Sequence, residues 1–270
     1  MNTRILKLLV LAIISPLGLV QPARGDLVIS SVNTASLIDF ESTLTGVNNG
    51  AYTGAGFGAG SGQLDAGAWA ITDLSGAELA RGYTSGSGAA GVGLYSFDVL
   101  GGGTSHTFGV KPDNNDFNIG TVTLRVANMT GSTIGSWAIS YDLFSFNNTN
   151  TSSTFNFSFS TDGTNFTSVS ALNFASPGTA DATPAWSSGT NRSTTISANV
   201  ANNGILFLRW TSTDNVGGGN VRDSLALDNI SVTAVPEPGA FLFAGLVCGV
   251  FGLKAGGRRL LGKVIKRDAA

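Results

Sequence analysis

The feature that most restricts how this chain can fold is a strict alternation of apolar and polar residues in several short runs. In "TVTLRVA" the residues Val122, Leu124 and Val126 fall in one phase. Phe155, Phe157 and Phe159 do so in "TFNFSFS", and Leu206, Leu208 and Trp210 in "GILFLRW", where Arg209 takes the other phase. A period of two sends each set to one side of an extended strand, so these runs read as strands buried on a single face. Between them lie "NMTGST", "STDGTN" and "NVANNG", rich in the residues that supply turn dihedrals. Asp162-Gly163 predicts a tight hairpin. Strands at this spacing with no helical pattern between them predict an all-β fold, an antiparallel β-sandwich whose aromatic faces meet as the core.

Composition supports that reading. With 37 Gly, 16 Phe and only 12% charged residues, the chain is too aromatic for disorder and too rich in turn formers for a helical bundle. No tandem repeat and no linker divides the middle, so residues 26–234 read as one body. Its least regular part, "GVNNGAYTGAGFGAGSGQL", reads as a long Gly-rich surface loop that Tyr52 and Phe57 could pin down. Near the end, Leu225 and Leu227 keep one alternation phase while Ile230 and Val232 keep the other, which places a bulge at Asp228-Asn229.

Charge and cysteine usage exclude several classes of function. Residues 26–234 hold fifteen Asp and Glu against six Lys and Arg, a formal charge of −9. Such a body lacks the basic patch that nucleic-acid binding needs. The single cysteine, Cys248, lies outside it, so the body has no disulfide, no cysteine zinc site and no thiol nucleophile.

The basic residues sit mostly at the two ends. In "MNTRILKLLVLAIISPLGLVQPARG", Arg4 and Lys7 precede an apolar stretch from Leu8 to Val20, the order of a secretory signal helix. Ala23 and Gly25 supply small residues three and one before a cut, so signal peptidase is expected to cleave after Gly25 and leave Asp26 as the mature N-terminus. The alternative is an uncleaved anchor, against which Pro16 and the short run count. At the other end, Gly239 to Gly257 would make about 28 Å of helix, close to the roughly 30 Å hydrocarbon core if Lys254 snorkels. Arg258, Arg259, Lys263, Lys266 and Arg267 then mark a cytoplasmic face. A single transmembrane helix is the expectation here. The alternative is an interfacial amphipathic helix using Leu260, Leu261, Val264 and Ile265.

The order "VPEPG", short apolar helix, "GGRR" resembles the PEP-CTERM sorting tail of exported bacterial proteins, over residues 235–259. The resemblance implies an exosortase as partner, with Pro236, Glu237 and Pro238 as recognition positions and Arg258 and Arg259 as the basic stop. It also implies transient anchoring in the inner membrane before release to the cell surface or extracellular matrix. The chain departs from the pattern by continuing through residues 260–270, a basic tail. A second resemblance runs from "GSGQLDAGAWAIT" to "RDSLALDNISV", which is similar to a β-sandwich domain of exported, often sorting-tagged bacterial proteins. It implies a jelly-roll or lectin-like topology and no assigned activity.

Groups able to do chemistry are few. His106 is the only histidine and no GxSxG elbow accompanies it. Glu41 and Glu78 are the body's only glutamates, and its aspartates sit mostly in turn-like contexts, a poor basis for paired-carboxylate hydrolysis. No catalytic residue is assigned. Calcium is the one candidate cofactor, with Asp113, Asn115 and Asp116 of "KPDNNDFN" as ligands and Asp214, Asp223 and Asp228 near the last strands. Among the tryptophans, Trp137 and Trp210 lie in strand patterns and read as core. Trp186, in the loop "DATPAWSSG", is the candidate ligand contact, since aromatic faces stack on sugars. The reading that follows is a non-enzymatic exported surface or matrix protein. The alternative is a carbohydrate-binding module acting on extracellular polysaccharide.

Overall fold

The computed structural model describes residues 25–74, 80–84, 91–217 and 219–236. The signal and C-terminal helices, Glu237, Pro238, Arg258, Arg259 and Glu78 lie outside the described residues. In chain order the strands are β1 (Leu27–Ile29), β2 (Ala35–Ile38), β3 (Trp69–Ile71), β4 (Ala80–Thr84), β5 (Gly93–Phe97), β6 (Thr107–Lys111) and β7 (Thr121–Asn128). Then follow β8 (Ile134–Phe146), β9 (Ser152–Ser160), β10 (Thr167–Ser168), β11 (Phe174–Ala175), β12 (Thr190–Val200), β13 (Ile205–Val216) and β14 (Ser224–Val235).

They form two seven-stranded sheets. Sheet I has β7, β13 and β9 at its centre, with β1 and β3 on β7 and with β10 and β11 on β9. Sheet II runs β12-β8-β14-β6-β5-β4, with β2 alongside β14. The long strands β7, β8, β9, β12, β13 and β14 switch sheets at every step, so each hydrophobic face meets its partner directly across the core. The expected sandwich is therefore what forms, although two edge pairings, β1 with β7 and β4 with β5, are parallel.

The alternation read from sequence is the alternation of burial. Val122, Leu124, Val126, Leu206, Leu208 and Trp210 have no exposed surface, and Phe155 and Phe157 are all but completely buried. Trp210 meets Tyr141 of the opposite sheet edge-on at 5.4 Å and Phe157 of its own at 5.5 Å, the tilted contacts aromatic rings prefer. Trp137 is equally buried and donates its indole N–H to the Ala198 carbonyl. At Asp228 the register of β14 against β8 shifts, and Asn229 takes a positive φ of 52°. That bulge lets Leu225, Leu227, Ile230 and Val232 all reach the core despite their opposed phases.

Two expectations need correction. The Gly-rich segment is not a surface loop: its Val47, Tyr52 and Leu64 are fully buried in the main core, where they join Phe40. Phe40 packs between Tyr52 and Trp69, with ring centroids 6.1 and 6.0 Å away. The glycines allow the backbone to turn tightly under these rings. At Gly54, with φ of 74°, an added Cβ would lie 2.4 Å from the Gly82 carbonyl oxygen. Nor is Asp162-Gly163 a two-residue hairpin, because β9 and β10 first pair at Phe159 and Thr167. Asp162 instead folds a wider loop by accepting the Thr164 and Asn165 backbone N–H groups.

Two buried charges ahead of β14 organise the loops at one end. Arg222 has no exposed surface and its guanidinium donates to the carbonyls of Asp113, Phe117 and Asn118 at 2.8, 3.2 and 3.3 Å. Asp223, equally buried, accepts the Asn148 and Thr149 N–H groups and the Thr149 and Ser176 hydroxyls. Burial raises its pKa and these donors offset part of that rise.

Candidate functional site

The outward side chains of sheet II fall into two halves with different chemistry. Across β12, β8 and β14 the register aligns Ser197 with Ser136, Thr195 with Ala138 and Thr233, and Ser193 with Ser140 and Ser231. All of these are exposed or half-exposed. Small side chains, mostly hydroxyls, fill the middle of this half as a terrace, with Val235 beside Ser136 and the exposed Leu37 of β2 beside Ser231 as its apolar edges. Its far border is a row of carboxylates and amides. Asn191 and Asn229 donate their side-chain N–H groups to the two oxygens of Asp142 at 2.8 and 3.0 Å, and Asp228 lies opposite Asp142 in register.

Beyond that row the outward phase turns apolar. Phe144 and Phe146 of β8, Ala226 of β14 and Tyr95 and Phe97 of β5 form a second, smaller hydrophobic core on the outside of the sheet. Phe97 lies flat over β6, where a Cβ on Gly109 would fall 2.0 Å from its ring. The loop after β11 folds back over this cluster and bonds to β8, Ser187 donating its N–H to the Ser145 carbonyl. Trp186 therefore sits half-buried between Phe97 at 4.6 Å and Phe146 at 5.5 Å. It is the outermost ring of a wall beside the terrace, tilted against Phe97 and edge-on to Phe146. The sequence carries a signal for this wall: in "WAISYDLFSF", Phe144 and Phe146 are apolar in the phase opposite to Trp137, Ile139, Tyr141 and Leu143.

Asp228 is the most perturbed group on the face. It is 6% exposed, and burial, with Glu41, Asp142 and Asp39 nearby, pushes its pKa up to about 8 although the Asn229 N–H acts against the shift. Its Oδ1 accepts that N–H at 2.7 Å, so the carboxyl fastens the bulge. Glu41 is also raised, chiefly by burial.

His106 is a strut. Its Nδ1 donates to the Tyr52 carbonyl at 2.7 Å, its backbone N–H to Glu41 Oε1 at 2.9 Å, and its ring lies 4.8 Å from that of Tyr83. Ser96, whose Oγ is 3.3 Å from Nδ1, is fully buried and cannot present a nucleophile. These bonds hold the Gly-rich segment against β6.

The calcium candidates Asp113, Asn115 and Asp116 share the loop that Arg222 organises. Asp113 Oδ1 accepts the Asn115 and Asp116 N–H groups, Asp116 is buried, and Asn115 is exposed. Among the described residues no group of three or more His, Cys, Asp or Glu could hold a metal ion. Gly25 and Asp26 border β1; Asp26 is buried and its carboxylate pairs with Arg125 at 2.7 Å. Pro236 follows β14 with no intervening residue.

No family model matches the chain, and no curated protein is similar to it. Solved structures resemble it in outline. The CBM22-1 xylan-binding domain from Paenibacillus barcinonensis is 7% identical at a TM-score of 0.36, covering 77% of this chain and 97% of that one. CBM35 from the same organism is 19% identical at 0.31, covering 62% and 93%. A cleaved adhesin domain of Lys-gingipain from Porphyromonas gingivalis is 11% identical at 0.33, covering 75% and 99%. Likenesses this distant add nothing to the two-sheet architecture already visible in the strands.

Proposed function

We propose that the chain is an exported, non-catalytic module that holds polysaccharide at the cell surface or in the extracellular matrix. The observation that carries this reading is the outer face of sheet II, a hydroxyl terrace ending in an amide and carboxylate row and walled by an aromatic cluster. A sugar ring offers an apolar C–H face and a rim of hydroxyls, which suit a partly exposed indole and planar amide or carboxylate partners respectively. From Asp142 to Phe146 along β8 the face extends about 13 Å at roughly 3.3 Å per residue, before the terrace is added. That length suits a chain of sugars better than a single one. The negative body favours uncharged polymers over acidic ones.

Binding to a panel of soluble and insoluble polysaccharides tests the reading. Trp186→Ala and, at the other end of the face, Ser140→Arg are each expected to weaken binding at least tenfold, about 1.4 kcal/mol, with the fold intact by circular dichroism. A panel that stays silent, or variants that bind as the parent does, would overturn it.

Export and sorting rest on the two ends of the sequence. The signal pattern supports cleavage by signal peptidase between Gly25 and Asp26. The PEP-CTERM-like tail supports retention by a single membrane helix and processing by an exosortase near Pro236, Glu237 and Pro238, before the stop at Arg258 and Arg259. Mass spectrometry of the mature termini after cell fractionation is expected to find Asp26 first and a new C-terminus close to Pro236. A cytosolic chain with residues 1–25 intact would rule this out.

A further inference from the structure

Sheet II ends on one side in an edge unlike the others. β12 is an 11-residue strand that pairs with β8 alone among the described residues. Every other edge piece described in either sheet is five residues or shorter. Natural sheets blunt long edges with charge, proline or bulges, because a row of unpaired N–H and C=O groups is a template for another strand. β12 has no proline, its outward positions carry no charge, and its one bulge comes after Ser197, near its end.

The outward row explains what such an edge could receive. It reads Asn191, Ser193, Thr195, Ser197, Asn199, all exposed, and this order is the same in both directions about Thr195. Antiparallel pairing of β12 with itself sets Thr195 against Thr195, Ser193 against Ser197 and Asn191 against Asn199, all cross-strand pairs able to hydrogen-bond. The strand's only charge, Arg192, lies in the inward phase and would meet Ala198 of the second copy, so no like charges oppose each other.

We propose that two copies of the chain join through β12, antiparallel about a two-fold axis at Thr195, to make one sheet that runs from subunit to subunit. Such an interface is isologous and closed, so it gives a dimer and not a filament. Both hydroxyl terraces then lie on the same side and become continuous across the junction.

The test uses the full chain in detergent with Cys248→Ser, so that no native thiol interferes. Thr195→Cys should form a disulfide-linked dimer under mild oxidation, and Ser140→Cys, one strand inward on the same face, should not. By sedimentation, Ser193→Lys with Ser197→Lys sets like charges opposite each other across the two-fold. These changes should raise the dimerisation midpoint at least tenfold while leaving the thermal melt of the monomer unchanged. A parent chain that stays monomeric throughout, a dimer indifferent to the lysines, or equal cross-linking by the two cysteine variants would overturn the proposal.

Discussion

Replacing Asp228 with asparagine is expected to stabilise the sandwich at neutral pH and to remove most of its decline in stability between about pH 4 and 8. The carboxyl is 6% exposed and its pKa is pushed up to about 8, against roughly 3.9 for an unfolded aspartate. Between those values the folded chain binds a proton that the unfolded chain does not. Stability from this group therefore falls as pH rises through the window, by about 1.4 kcal/mol per unit, and levels off above about pH 8. Over the full window the cost is on the order of 5 kcal/mol as an upper limit, because opening of the bulge to water would reduce it. Glu41, raised by burial as well, adds a slope of the same sign. Asp162 acts oppositely. The Asn165 side chain, with the Asn165 and Thr164 N–H groups, holds it below the ordinary range, so its contribution is present above about pH 4 and is lost as pH falls. The parent should thus be most stable in mildly acidic solution. The side-chain amide introduced by Asp228→Asn would keep an acceptor for the Asn229 N–H while carrying no charge to desolvate. Unfolding free energies from urea titrations between pH 4 and 9 should converge for parent and variant at the acid end and separate by about a few kcal/mol at pH 8. Parallel curves would refute the argument.

The strands with one apolar phase could be placed from the sequence because period two is a local signal. The switch of phase between Leu227 and Ile230 was enough to locate a bulge, and the structure puts it at that point. Where apolar residues occupied both phases, the same reasoning had less to offer. Phe144 and Phe146 belong to a core on the outside of the sheet, and only the return of a distant loop carrying Trp186 makes that position dry. The Gly-rich segment misled for a related reason. Glycine marks freedom of the backbone, and whether Tyr52 dangles or buries depends on Phe40 and Phe108, which come from elsewhere in the chain. The hydroxyl terrace lay in plain view as the polar phase of β8, β12 and β14. What no single strand could reveal was the register that lays Ser193, Ser140 and Ser231 side by side.

Arg222→Ala should be among the most damaging single changes, and it acts through the backbone of a loop. The guanidinium lies within the loop between β6 and β7 and holds three backbone carbonyls, those of Asp113, Phe117 and Asn118. Burial disfavours its charge, while Asp214, Asp113 and Asp73 favour it. Truncation removes charge-assisted hydrogen bonds and leaves three oxygens in a cavity with no donor, a loss of about 3–5 kcal/mol. Arg222→Lys should recover little of this. A lysine keeps the charge but places it at one point on a flexible stem, whereas the carbonyls are spread around a planar fork. The loop should register the loss before the sandwich does. Hydrogen exchange is expected to quicken at Asp113, Asp116 and Phe117 in the lysine variant while β8 and β14 keep their protection. Full protection of the loop in both variants, with an unchanged melt, would mean that its own turns suffice and that Arg222 is a passenger.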